Sequence, residues 1–152
     1  MIVMLRTCLC LGIVGGMIGC GSSVPSKPLP KTAPAVGMVT LGGAPLAFAS
    51  VTFVPRSKAN GIESVGVTDE QGHFALKQVR GQAGVPPGDY TVVINRFVKS
   101  DGTPVSLNQG EFPANLGAVE SLPPQFSNYS ESVLLAKVPD TGGEFKFDLP
   151  RR

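Results

Sequence analysis

Glycine and proline punctuate this chain from end to end, 19 of one and 14 of the other in 152 residues, with no repeating triplet. Each proline removes a backbone donor and fixes φ, and each glycine carries the largest entropic cost inside a regular element. Long helices are therefore disfavoured, and short strands joined by tight turns are favoured. An apolar fraction of 42% is enough to pack one core in a domain of roughly 115 residues, a size that needs neither disulfides nor metals to hold it. The expectation is a single all-β domain behind a leader and a tether.

Alternation of apolar and polar residues places the strands. Residues 36–41 form a β-prone run closed by Gly42-Gly43, a two-residue hairpin signal. Residues 47–54 read AFASVTFV, with Ala49, Val51 and Phe53 on a plainly apolar face and Phe48, Ser50, Thr52 and Val54 on the other. A strand is expected over 62–68 with Val65 and Val67 on one face, then a turn at Asp69-Glu70-Gln71-Gly72, then 73–78 with Phe74 and Leu76 pointing one way. Residues 89–97, DYTVVINRF, carry β-branched residues on both faces and read as a central strand. The segment 98–131 has no sustained period and contains Pro104, Pro113, Pro123 and Pro124, so it reads as a long loop, mostly coil. Residues 132–138 and 144–149 read as a closing hairpin across Pro139 to Gly143.

The first 34 residues have a different character. Residues 1–6 are weakly basic through Arg6, and residues 7–18 are apolar or small, as in a secretory leader. Twelve such residues as a helix would reach roughly 18 Å, short of the ~30 Å hydrocarbon core of a bilayer. Met17-Ile18-Gly19-Cys20 resembles the bacterial lipobox, with cleavage between Gly19 and Cys20. That resemblance implies a diacylglyceryl group on Cys20, usually joined by a further acyl chain such as palmitate; two or more chains anchor stably where one does not. Cys8 and Cys10 lie in the leader, so cleavage would leave one cysteine and no intramolecular disulfide. Behind it, residues 21–34 read GSSVPSKPLPKTAP, an extended tether able to reach on the order of 40 Å. Gly21 stands where an aspartate would signal inner-membrane retention in some bacteria, which by resemblance favours the outer membrane.

Catalytic and metal chemistry finds little to work with. His73 is the single histidine, too few for a His/Cys zinc site or a triad with any redundancy. Asp69 to Gly72 lacks the alternating oxygen ligands of a calcium loop. Glu111 and Glu120 are an acid/base pair only if the fold brings them together. No glycine loop precedes a helix to cradle phosphate, and a formal charge of +2 does not make a nucleic-acid surface. No cofactor or metal site and no nucleic-acid partner are expected, and the chain is read as non-catalytic. The alternative is carbohydrate or peptide binding through the 98–131 loop and the aromatics Phe97, Phe112 and Phe126.

The motifs Gly43-x-Pro45-Leu46, Val51-Thr52-Phe53-Val54-Pro55, Thr68-Asp69-x-x-Gly72-x-Phe74-x-Leu76 and Pro86-Pro87-Gly88-Asp89-Tyr90-x-Val92 together resemble the carboxypeptidase regulatory-like, or transthyretin-like, β-sandwich. Pro123-Pro124-x-Phe126 and Phe145-x-Phe147-Asp148-Leu149 are similar to the tail of small planctomycete-type lipoproteins that carry this module. The likeness covers about residues 35–149 and implies a seven-stranded Greek-key sandwich over residues 35–152, exported, with no established catalytic residues. The divisions expected are 1–19 signal peptide, 20–34 lipidated cysteine and linker, and 35–152 sandwich. The function expected is a lipid-anchored cell-envelope protein displaying a structural or interaction module to an envelope protein or glycan. Tyr90 is expected to bury its ring between the sheets with its hydroxyl near a loop carbonyl.

Overall fold

The structure, a computed structural model, describes residues 31–57, 62–106 and 112–151. Its strands are short, as the glycine and proline spacing requires: β1 (Ala35–Leu41), β2 (Ala44–Pro45), β3 (Ser50–Pro55), β4 (Ser64–Val67), β5 (His73–Ala75), β6 (Lys77–Gln78), β7 (Gly88–Asn95), β8 (Phe97–Lys99), β9 (Pro104–Val105), β10 (Ala118–Glu120), β11 (Leu135–Val138) and β12 (Gly143–Leu149). A single 3-10 turn (Pro113–Leu116) and one helical turn, α1 (Pro124–Ser127), interrupt them. The fold is all-β.

Two sheets face each other. One runs β11-β7-β3-β4-β6, antiparallel throughout, with β7 in its interior as the sequence suggested. The other is built on β1, which pairs in parallel with β12 from Ala35↔Gly143 to Leu41↔Leu149 and antiparallel with β2 and β5. Between β1 and β2, Gly42 and Gly43 both have positive φ, 59° and 80°, the two-residue turn whose twist matches the flanking strands. A third, small sheet, β10-β8-β9, continues beyond the end of β7.

The core is the alternation made solid. Ala49, just ahead of β3, Val51 and Phe53 of β3, and Tyr90, Val92 and Ile94 of β7 are all fully buried, facing Val39, Phe147 and Leu149 from the opposite sheet. Phe53 meets Phe145 edge-on at 5.3 Å and Phe147 at 6.1 Å, and lies 5.7 Å from Tyr90. Full burial of each such side chain contributes about 1.5–3 kcal/mol, and a well-oriented aromatic pair adds about 0.5–1.5 kcal/mol.

Two local expectations are corrected, for the closing hairpin and for the segment 98–131, and Val65 and Val67 share one face of β4 as expected, the outward one. The closing hairpin does not form: β11 joins β7 while β12 joins β1. Val138 and Phe147 have to line opposite walls of one core, and the Pro139–Gly142 turn, with Gly143 N–H donating to the Pro34 carbonyl at 2.9 Å, carries the chain from one sheet to the other. On β4 the inward residues are Ser64 and Gly66, followed by Thr68, and the valines Val65 and Val67 point outward. A Cβ at Gly66 would sit 2.6 Å from the Ala75 carbonyl oxygen, because the chain switches sheets at Leu76, leaving β1 as β5 and joining β4 as β6. A residue with a side chain does not fit there. The segment 98–131 is not mostly coil among its described residues. Its elements are two to four residues long, too short for a period to show, and its prolines open them: Pro104 begins β9, Pro113 the 3-10 turn and Pro124 the turn of α1.

The register also orients the domain. Ala33 exchanges backbone hydrogen bonds with Val85 (2.8 and 2.9 Å), beside the Gly143 and Gly88 ends of β12 and β7. The chain therefore joins the sandwich from residues 31–34 at one end, and the small sheet, which follows Asn95, lies at the other. Substituting Gly66→Ala is expected to destabilise the fold by about 1–3 kcal/mol through forced separation of β4 from β5, read as a lowered denaturation midpoint with an unchanged slope. A fragment of residues 31–152 is expected to give a β-type circular dichroism spectrum without metal or reductant; a strongly helical spectrum would refute the fold.

Candidate functional site

At the far end of the sandwich β7 gives way to the small sheet through Asn95 and Arg96, and Glu120 on β10 fastens the junction. Its Oε1 accepts from the backbone N–H groups of Arg96 (3.0 Å) and Leu122 (2.9 Å), and its Oε2 accepts from Asn95 Nδ2 (2.8 Å). Asn95 Nδ2 also donates to the Ser127 carbonyl at 2.9 Å, and Arg96 Nε donates to the Ala47 carbonyl at 3.1 Å. Glu120 is thus committed to three donors, a positioning role. Glu111, its conceivable acid/base partner, lies outside the described residues.

Next to this junction stands Phe48, the one non-glycine with positive φ (56°) among the described residues. The alternation of 47–54 placed it in a strand, yet β3 begins only at Ser50. Left-handed backbone costs a residue with a side chain about 1–2 kcal/mol and persists where its surroundings over-determine it. Here Thr68, itself buried, does so. Phe48 N–H donates to the Thr68 carbonyl (3.1 Å), Thr68 N–H to the Ala49 carbonyl (2.8 Å), Ala49 N–H to Thr68 Oγ1 (2.8 Å), and Thr68 Oγ1–H to the Leu46 carbonyl (2.6 Å). The clamp holds a ring that is 36% exposed. With Phe97, Val67, Val105, Ser50 and Asn95 it lines a pocket of about 110 Å³.

The other residues singled out from sequence scatter. Phe97 is half-buried on β8 and lines that pocket. Phe112 is 69% exposed ahead of the 3-10 turn, whereas Phe126, buried on α1, belongs to the core. Of the three rings, Phe97 lines that pocket and Phe112 and Phe126 do not. Gly19 and Cys20 lie outside the described residues. His73 is exposed on a broad shallow face with Val36, Phe74 and Glu144. Its neighbour Asp69 accepts from the backbone N–H groups of Gln71 (2.9 Å) and His73 (2.8 Å), and so holds the turn it sits in. Among the described residues no three His, Cys, Asp or Glu side chains are grouped to hold a metal, and no helix is long and apolar enough to cross a membrane.

Tyr90 does what its sequence context implied. Its ring is fully buried and its hydroxyl donates to the Pro86 carbonyl at 2.6 Å, pinning the Pro86-Pro87-Gly88 corner to the core. A scan against family models found no match, and searches of curated proteins and of solved structures found none either.

Burial pushes the Tyr90 phenol from the ordinary 10.0 up to about 12, so the unfolded chain loses this proton more readily than the folded one. Its contribution is complete below pH 10 and is lost as the pH rises through 12, by on the order of 2–3 kcal/mol. Tyr90→Phe is expected to cost about 1–2 kcal/mol at neutral pH and to remove that part of the alkaline loss, measured as denaturant stability against pH.

Proposed function

We propose that this chain is a lipid-anchored cell-envelope protein that displays a non-catalytic β-sandwich as a structural or interaction module. The observation that carries the reading is Met17-Ile18-Gly19-Cys20, placed between an apolar leader too short to span a bilayer and a proline-rich tether. The way the domain begins supports it. Ala33 is already hydrogen-bonded to Val85 at one end of the sandwich, so an anchor at Cys20 would hold the domain by that end and turn the small sheet outward. The all-β fold and the Tyr90 corner are compatible with a carboxypeptidase regulatory-like module, which stays part of the proposal. On this reading the outer membrane is the destination, and an envelope protein or glycan is the partner.

Cys20→Ser is expected to abolish incorporation of radiolabelled palmitate and to release the protein from the membrane fraction, without change in the circular dichroism of the domain. Unchanged labelling and fractionation would remove the anchor from the account.

A further inference from the structure

We propose that the Phe48 pocket seats an uncharged apolar side chain of about four to six carbons, presented by a polypeptide partner. The inference deepens the reading of the domain as an interaction module and rests on it. Three observations carry it. First, Phe48 holds a strained backbone conformation while exposing its ring, and a glycine there would relieve the strain. The residue is 36% exposed, and it lines the pocket with Phe97, Val67 and Val105. The Thr68 clamp fixes the ring before any ligand arrives, and such pre-organisation lowers the cost of binding.

Second, the space is small and its lining carries no charge. Phe48, Phe97, Val67 and Val105 supply apolar walls, with Ser50, Asn95 and Ser106 completing the lining, around about 110 Å³, somewhat less than the ~150 Å³ apolar cavity that takes a benzene ring. A leucine-sized group fills it, whereas a pyranose, with about a dozen heavy atoms, exceeds it. Third, Asn95 has its Nδ2 spent on Glu120 and Ser127, so the atom it has left to offer is the acceptor Oδ1. An apolar group with an N–H beside it, the local pattern of any peptide residue, matches that arrangement. The pocket lies at the end of the sandwich opposite residues 31–34, where an anchored domain would present it to partners.

The test is a methyl NMR titration of the full chain, following Val67 and Val105, with N-acetyl-leucinamide as probe and methyl glucoside as comparison. Expected are saturable shifts at both valines with an affinity in the millimolar range, and none with the glucoside. Phe48→Gly is expected to weaken binding about tenfold with the β-type circular dichroism spectrum retained. Val67→Glu, which adds a charge at an outward position 45% exposed, is expected to block the probe with the fold intact. Absence of saturable shifts, an equal response to the glucoside, or unchanged affinity in either variant would overturn the proposal. Palmitate labelling at Cys20 reads the anchor separately, so failure of the pocket and failure of the anchor are told apart.

Discussion

The parallel pairing of β1 with β12 ties the start of the domain to its finish, seven residues in register across more than a hundred positions of sequence. Everything between has to fit inside that closure. It sets Val39, Phe147 and Leu149 as one wall of the core, and the Phe53 ring packs edge-on against that wall from the other sheet. It also keeps Pro34 and Ala35 against the Pro139–Gly143 turn, so the same end that closes the sandwich receives the chain from residues 31–34. A closure of such long range has to overcome loop entropy before it returns any contact energy, so it is formed cooperatively with the core or not at all.

Chemistry in this domain is mostly spent on architecture. Asp69 holds a turn, Glu120 fastens the small sheet, Thr68 clamps a strained residue and Tyr90 pins a proline corner. Each is a polar group engaged by backbone partners, as local side-chain hydrogen bonds commonly are. Phe48, 36% exposed, is held beside the small sheet in a left-handed conformation at a cost in backbone energy.

Much of this was legible in the sequence. The alternation of β3 and β7 gave the buried face directly, since every second residue there is apolar and sits in the core. Gly42-Gly43 announced its turn, and Tyr90 its hydroxyl contact. What failed did so for nameable reasons. Proximity in sequence suggested that β11 and β12 pair, but a sandwich needs its last strands on opposite walls. Val65 and Val67 do share a face, and which face it is follows from tertiary packing: at position 66 the close approach of Ala75 leaves room only for a glycine. The strands of the small sheet are two or three residues long and carry no period at all. Phe48 gave no signal, because positive φ in a residue with a side chain follows from tertiary hydrogen bonds that local sequence does not encode.

The closure of β1 on β12 is the claim on which the rest stands, and native-state hydrogen exchange tests it most directly. The account predicts that the amides bridging β1 and β12 and those of β3 and β7 exchange through one common unfolding event, with the same free energy and denaturant dependence. Exchange from β12 by a lower-energy local opening, while β3 and β7 stay protected, would contradict it.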